Sequence, residues 1–454
     1  MAAKSIRRLS AENLEARLTP AGDVNVVLSG NNLTITGDDL DNTIKITQVN
    51  ATNTIHVAGV GTNILLNGAG AAAFQDVTIA DFSKLQIKIV SNGGADDVQV
   101  GQFVGDQVTA VKLTIDTGAG VDSVHVLNTK IDGNSSFTLG KNSEVEHDAL
   151  DAEECVFNGD VKVRSGDGDD DVFFQSNTSV DGKLDIDTFK GNDFVVVQNG
   201  TYRPVAIKLG EGNDKATVQN LTVSQGKLTI DAGKGSDNDV IVSNVVANQE
   251  VAINLGRSDS ASDTNKFTST ALTTGKLAVK GGKGADTVNL TTLGAPIVGI
   301  KLGDALDQLT LNGLTAGLFG AGVASKLTID LAGGSDVLQA ANLTLETIDV
   351  KLGSGNNLMT ATTINAATKI KVASGKDGDN ITATGITTPD LTVDLGAGDN
   401  DLLTASILNI GVAGKLTVKG GAGVGDTLDF NTVGSTLPPL NAIVKSGFEI
   451  ENIL

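Results

Sequence analysis

Apolar and polar residues alternate along most of this chain in short runs, and the runs recur. In Lys112-Leu-Thr-Ile-Asp116 every second residue is apolar, and after the turn Gly118-Ala-Gly-Val-Asp122 the alternation resumes in Val124-His-Val126. A period of two with β-branched enrichment predicts a strand buried on one face, and Gly with Asp supplies the turn between strands. The acidic or amide residue after each Gly-rich turn aligns at Asp96, Asp122, Asp148, Asp170, Asp193, Asp214, Asp237, Asp263, Asp286, Asp307, Asp336, Asn357, Asn380, Asn400 and Asp426, a mean spacing of about 23.6 residues. Weaker copies at 31–49 and 53–67 extend the pattern toward the N-terminus. A unit this small cannot bury its own apolar face, so units must stack on one another.

Two arrangements could use such units: hairpins with antiparallel strands, or coils whose strands pair in parallel with the coils above and below. The position six residues before each aligned turn residue separates them. It reads Asp116, Asn142, Arg164, Asp187, Lys208, Asp231, Lys280, Lys301, Asp330, Lys351 and Asp394, with Asn254, Lys371 and Lys419 joining after small register slips. The sign alternates at every step from Arg164 to Asp231. Stacked coils lie about 4.8 Å apart, close enough for opposite charges to pair and like charges to repel. Inward pairs such as Val172 with Phe174 and Val195 with Val197 recur in step. The expected fold is all-β, a single long parallel β-solenoid over residues 22–454, with about 17–18 coils of roughly 23 residues. The crossover rule favours a right-handed path.

Composition sharpens this picture. Hydrophobic residues make up 40% of the chain but aromatics only 3%, so Val, Ile, Leu and Ala must fill the core. A net charge of −21 argues against nucleic acid as a partner, because phosphate binding needs clustered Lys and Arg. No run is long and apolar enough to span a bilayer, and Cys155 stands alone, so neither a disulfide within the chain nor a cysteine metal site is expected.

Residues 1–21 form a separate basic segment with Lys4, Arg7, Arg8 and Arg17 against Glu12 and Glu15. Ser10 as cap, Leu9 with Leu14 as staple and Thr19-Pro20 as stop predict a short helix. The string Arg7-Arg8-Leu-Ser-Ala-Glu-Asn-Leu-Glu-Ala-Arg17-Leu-Thr-Pro-Ala21 resembles the N-terminal segment of secreted or envelope repeat proteins of planctomycete bacteria. That resemblance implies export, to the cell envelope or the extracellular matrix.

The turns carry a second resemblance. G-x-G-x-D occurs at 118–122, 166–170, 210–214, 233–237 and 282–286, and a shorter Gly191-Asn-Asp193 stands between them. The pattern resembles the haemolysin-type (RTX) repeat, in which stacked turns hold Ca²⁺ with Asp carboxylates and backbone carbonyls. It implies calcium at Asp122, Asp170, Asp193, Asp214, Asp237 and Asp286. The match is partial, since the motif occurs once per coil rather than in tandem.

Catalytic signals are sparse. His56, His125 and His147 fall in different repeats, and no nucleophile elbow, zincin or phosphate-loop motif occurs. Between the inward residues of the strand after each turn, Phe173, Val196 and Ile241 put large apolar groups on the outward face, a surface for a partner. A helix over 5–18 could cover the first coil, and the alternating stretch 440–454 offers a strand edge for end-to-end self-association into filaments. The expected function is therefore a non-enzymatic structural or adhesive element, calcium-stabilised, of a cell surface or matrix. The alternative is a β-helical carbohydrate-active enzyme, a lyase or hydrolase of polysaccharides.

Overall fold

The computed structural model describes residues 22–140, 147–237, 239–256, 263–315, 325–439 and 443–453. The predicted 1–21 segment, with its helix, lies outside them. The described chain is a parallel β-solenoid of about 15 turns. At about 4.8 Å per coil the rod is about 70 Å long.

Each full coil contributes a strand to three parallel sheets. In one coil these are Lys112–Asp116, Ser123–Leu127 and Thr129–Ile131. The next coil lays Ser135–Thr138, Ala149–Glu153 and Val156–Phe157 beside them, in the registers Leu113↔Ser135, Val124↔Leu150 and Lys130↔Val156. The bend between the second and third strands is made by one residue in the left-handed region, for example Asn128, Asn199, Asn220 and Asn244 at φ 44°, 53°, 52° and 50°. Asn tolerates that conformation better than other residues with side chains. From Lys215–Val223 onward this bend no longer interrupts the strand, and the two sheets run together through it.

Parallel pairing at fixed register turns each sequence position into a column. Val98, Val124, Leu150, Val172 and Val195 stack in one inward file, and all five are fully buried. The predicted charge column is present for most of its length: Arg164↔Asp187, Asp187↔Lys208, Lys208↔Asp231, Lys301↔Asp330 and Asp394↔Lys419 are register neighbours. Ion pairs close at Arg164–Asp187 (3.8 Å), Lys301–Asp330 (3.7 Å) and Lys419–Asp394 (3.2 Å). Two members differ from expectation. Thr138 is the neighbour of both Asp116 and Arg164, in the place assigned to Asn142, which lies outside the described residues. Ala373 takes the place of Lys371, which instead neighbours Asp349, two residues earlier along the strand.

The N-terminal end departs from the simple repeat. Residues 31–49 do form a coil, since Asn32–Thr36 and Thr43–Val49 pair in parallel with Gln86–Val90 and Asp97–Val100. Residues 53–67 do so only at Asn63–Leu66, which pairs in parallel with residues 23–26. Asn53, at φ 52°, ends a single 3-10 turn over Asn50–Thr52 and reverses the chain, so that Thr54–Ala58 runs antiparallel to Thr43–Val49 and Phe74–Thr78 antiparallel to Thr54–Ala58. Asp23–Ser29 lies antiparallel on Asn32–Thr36. These strands cap the first coil. The residues spent on them are one reason the rod has fewer turns than repeat length alone suggests. No helix among the described residues is long and apolar enough to cross a membrane.

The charge column yields a test. Lys208→Asp sets three acids in register at 187, 208 and 231, and should destabilise the rod by about 0.5 kcal/mol more than Lys208→Ala at low ionic strength, the gap closing in 1 M salt. Paired thermal melts of the two variants at both salt concentrations measure it.

Candidate functional site

The Gly-rich turns join the first sheet to the second, and their glycines are set by the coil above. Gly233 and Gly235 have φ of 95° and 128°, and a Cβ added at either would collide with the carbonyl oxygen of Gly210 or Gly212 in the preceding coil. The first and third positions of the motif are thus fixed by backbone stacking.

The aspartate that closes the motif points inward. Asp122, Asp170, Asp193, Asp214, Asp237 and Asp286 are all at most 1% exposed. Each uses Oδ1 to accept a hydrogen bond from the rung before it: Asp96 N–H to Asp122 (2.9 Å), Asp148 to Asp170 (3.0 Å), Asp170 to Asp193 (2.9 Å), Asp193 to Asp214 (2.8 Å) and Asp214 to Asp237 (3.0 Å). Asp286 accepts from the Asn265 side-chain amide at 2.9 Å, and its Oδ2 from Gly282 N–H at 3.1 Å. The ladder starts at Asn42, whose N–H donates to Asp96, and runs to Asp426, whose N–H donates to Glu449.

Three rungs are not the residues that turn alignment selects. Asn265 replaces Asp263, receiving the N–H of Asp237 at 3.0 Å. Asp379 and Asp401 replace Asn380 and Asn400, at 2.9 Å from Asn357 N–H and 2.7 Å from Asp379 N–H. The signal was available in the strands. A rung stands two residues before the first inward apolar residue in nearly every coil, as Asp122 before Val124, Asn265 before Phe267, Asp379 before Ile381 and Asp401 before Leu403, while Asp237 stands three before Val240. Aligning on the inward pair rather than on the turn finds Asn265, Asp379 and Asp401.

A buried column of carboxylates is electrostatically costly. Burial pushes Asp193 and Asp307 up to about 8, and neighbouring rungs add to it: Asp214 and Asp170 for the first, Asp286 and Asp336 for the second. Burial likewise carries Asp96, Asp214 and Asp237 to about 7, and Asp170, Asp336 and Asp401 to about 6. Backbone N–H donors pull the other way, as do the hydroxyls of Ser91 at Asp96 and Thr188 at Asp193. Oδ2 of Asp214, Asp237, Asp336 and Asp401 is buried without a hydrogen-bond partner. The amide rungs Asn265 and Asn357 keep the acceptor oxygen with no charge, and their NH2 groups donate to Asp286 and Asp379, both at 2.9 Å.

Calcium takes six to eight oxygens, whereas here one carboxylate oxygen per rung is already spent on a backbone N–H. Among the described residues no group of three or more His, Cys, Asp or Glu side chains converges to hold a metal ion. On the outer side of the turns the acids are matched to partners, Asp167 with Lys190 (3.0 Å) and Glu211 with Lys234 (2.8 Å). Asp169 accepts from Asn192 N–H, Asn192 from Asn213 N–H, and Asn213 from Ser236 N–H, which makes a second, exposed ladder.

The other candidates remain apart. His56 lies on the cap with Asp76 at 2.6 Å, His147 meets Asp171 at 3.1 Å, and His125 stacks between Gln99 and Asp151 on the outer face of the second sheet. Phe173, Val196 and Ile241 do fall in one outward column, with Thr217 between the last two. They are not an open patch: Phe173 packs edge-on against Phe194 with centroids 5.7 Å apart, Val196 is 8% exposed, and Phe173 and Ile241 are half-buried. No family model, curated protein or solved structure matches the chain.

The ladder sets a pH dependence. Unfolded Asp titrates near 3.9, so across pH 4 to 8 the native state holds protons that the unfolded chain has released, and stability falls as pH rises through the raised values of 6 to 8. Glu250, held low by Lys227 and Lys276, has the opposite sign and loses its contribution only in stronger acid. The melting midpoint should therefore be higher near pH 5 than near pH 8.5, and Asp193→Asn should flatten the profile. At neutral pH, Asp214→Ala strands the Asp193 N–H and should cost about 1–3 kcal/mol, while Asp214→Asn, which keeps the acceptor, should cost far less. Denaturant titrations of the two variants separate loss of the acceptor from loss of the charge.

Proposed function

We propose that this chain is an exported, non-catalytic structural or adhesive rod of a cell surface or extracellular matrix. The observation that carries the reading is the continuity of the ladder: one buried side-chain acceptor per coil, from Asp96 to Asp426, ties every coil to the next. Such a molecule converts sequence length into physical length with a continuous outer face. The N-terminal resemblance supports its export. Immunogold labelling of producing cells with an antibody to residues 22–454 tests the placement. Gold at the envelope or matrix is expected, and gold confined to the cell interior overturns it.

In this proposal the backbone N–H donors of the ladder do the work that the resemblance assigns to calcium. Melting curves recorded with excess Ca²⁺ and with chelator should coincide. A midpoint that climbs with free calcium, as binding to the native state requires, would return the metal to the Asp column. Self-association belongs to the same reading. Of the stretch 440–454, residues 440–442 and 454 lie outside the described residues; Ile450–Ile453 pairs with Thr427–Asn431 along one edge, and Ile450 is half exposed. The antiparallel cap makes the other end unlike this one, which favours edge-to-edge pairs over filaments. Light scattering should then give particles of twice the mass, reverting to single rods when 443–453 is deleted.

A further inference from the structure

The core is not uniform along the rod. In the N-terminal half the inward side chains are nearly all fully buried, whereas from Ala340 to Phe430 most of them keep 1–6% exposure although they point inward. That residual surface faces a cavity of about 60 Å³, lined almost wholly by apolar atoms from the coils between Leu327 and Ile453. Its origin is one column of the second sheet. The file reads Leu290, Leu311, Ala340, Ala361, Ala383, Ala405, Phe430 in strict register. Four stacked alanines stand between leucines on one side and a phenylalanine on the other, and the missing side-chain volume, repeated at each coil, leaves a bore along the axis. The six second-sheet strands that bound it span about 24 Å.

We propose that this bore is a binding site for a slim, unbranched hydrocarbon chain lying along the solenoid axis. Protein interiors are otherwise packed to crystal density, and an apolar cavity stays dry and takes apolar guests. The shape selects among them. A small volume drawn out over several coils admits a thin linear molecule and rejects a ring or a branch. Met359, whose unbranched thioether side chain adapts to irregular space, stands in the wall beside Ala361. Binding would raise stability by mass action without changing the outer surface.

The test uses the full chain and two probes of equal carbon number, n-octane and cyclooctane, each at aqueous saturation, with the melting midpoint as readout. The proposal expects n-octane to raise the midpoint, cyclooctane to leave it unchanged, and an Ala361→Leu/Ala383→Leu variant, which fills the bore, to lose the response. Should that variant fail to give the β-sheet circular dichroism of the parent, Ala383→Val narrows the bore by less and should weaken the response at least twofold. No response to either probe, an equal response to both, or an unchanged response in the folded filled variant would overturn the proposal and leave a packing void.

Discussion

Everything in this molecule depends on the spacing between neighbouring coils. Parallel backbone hydrogen bonding fixes it near 4.8 Å, and at that distance whatever stands at one position of a coil is forced against its counterpart in the next. Apolar residues become continuous files, charges must alternate or repel, and at most turns Gly leaves room for the carbonyl above it. Asp at the end of the turn answers the same constraint. The strand that follows begins with an N–H that would otherwise be buried and unbonded, and the carboxylate one coil later supplies its acceptor.

The strands were legible because alternation and coil spacing both leave a period in the sequence. Their parallel partnership was legible because Arg164, Asp187, Lys208 and Asp231 could not tolerate another order. Two features were hidden for physical reasons. The stretch 53–67 alternates like any strand, and alternation says nothing about the direction of the partner; only the left-handed Asn53 turns it back into a cap. Aspartate beside glycine reads as a solvated turn or a metal ligand, and nothing local reveals that its side chain is turned inward. What betrays it is the step of two residues to the first core side chain that nearly every coil keeps, a regularity of packing rather than of turn chemistry.

Charge is handled differently on the two sides of the same turn. Outside, acids are offset by Lys190 and Lys234 on adjacent coils. Inside, burial drives the carboxyls toward their protonated form. Asn265 and Asn357 show that a neutral rung serves equally well as acceptor, so the carboxylates are tolerated for their geometry and not for their charge.

The rungs also keep their mutual geometry while the chain between them changes length. Successive ladder residues are 21 apart at Asp193 and Asp214 but 29 apart at Asp307 and Asp336. Reach is therefore a modular quantity. A duplication or excision that begins and ends at equivalent rungs, such as the segment from 194 to 214, joins the two flanking coils in register and alters the span by a single step. A gene that encodes such a chain can gain or lose extension in whole coils by recombination between repeats, with no new contact to be invented.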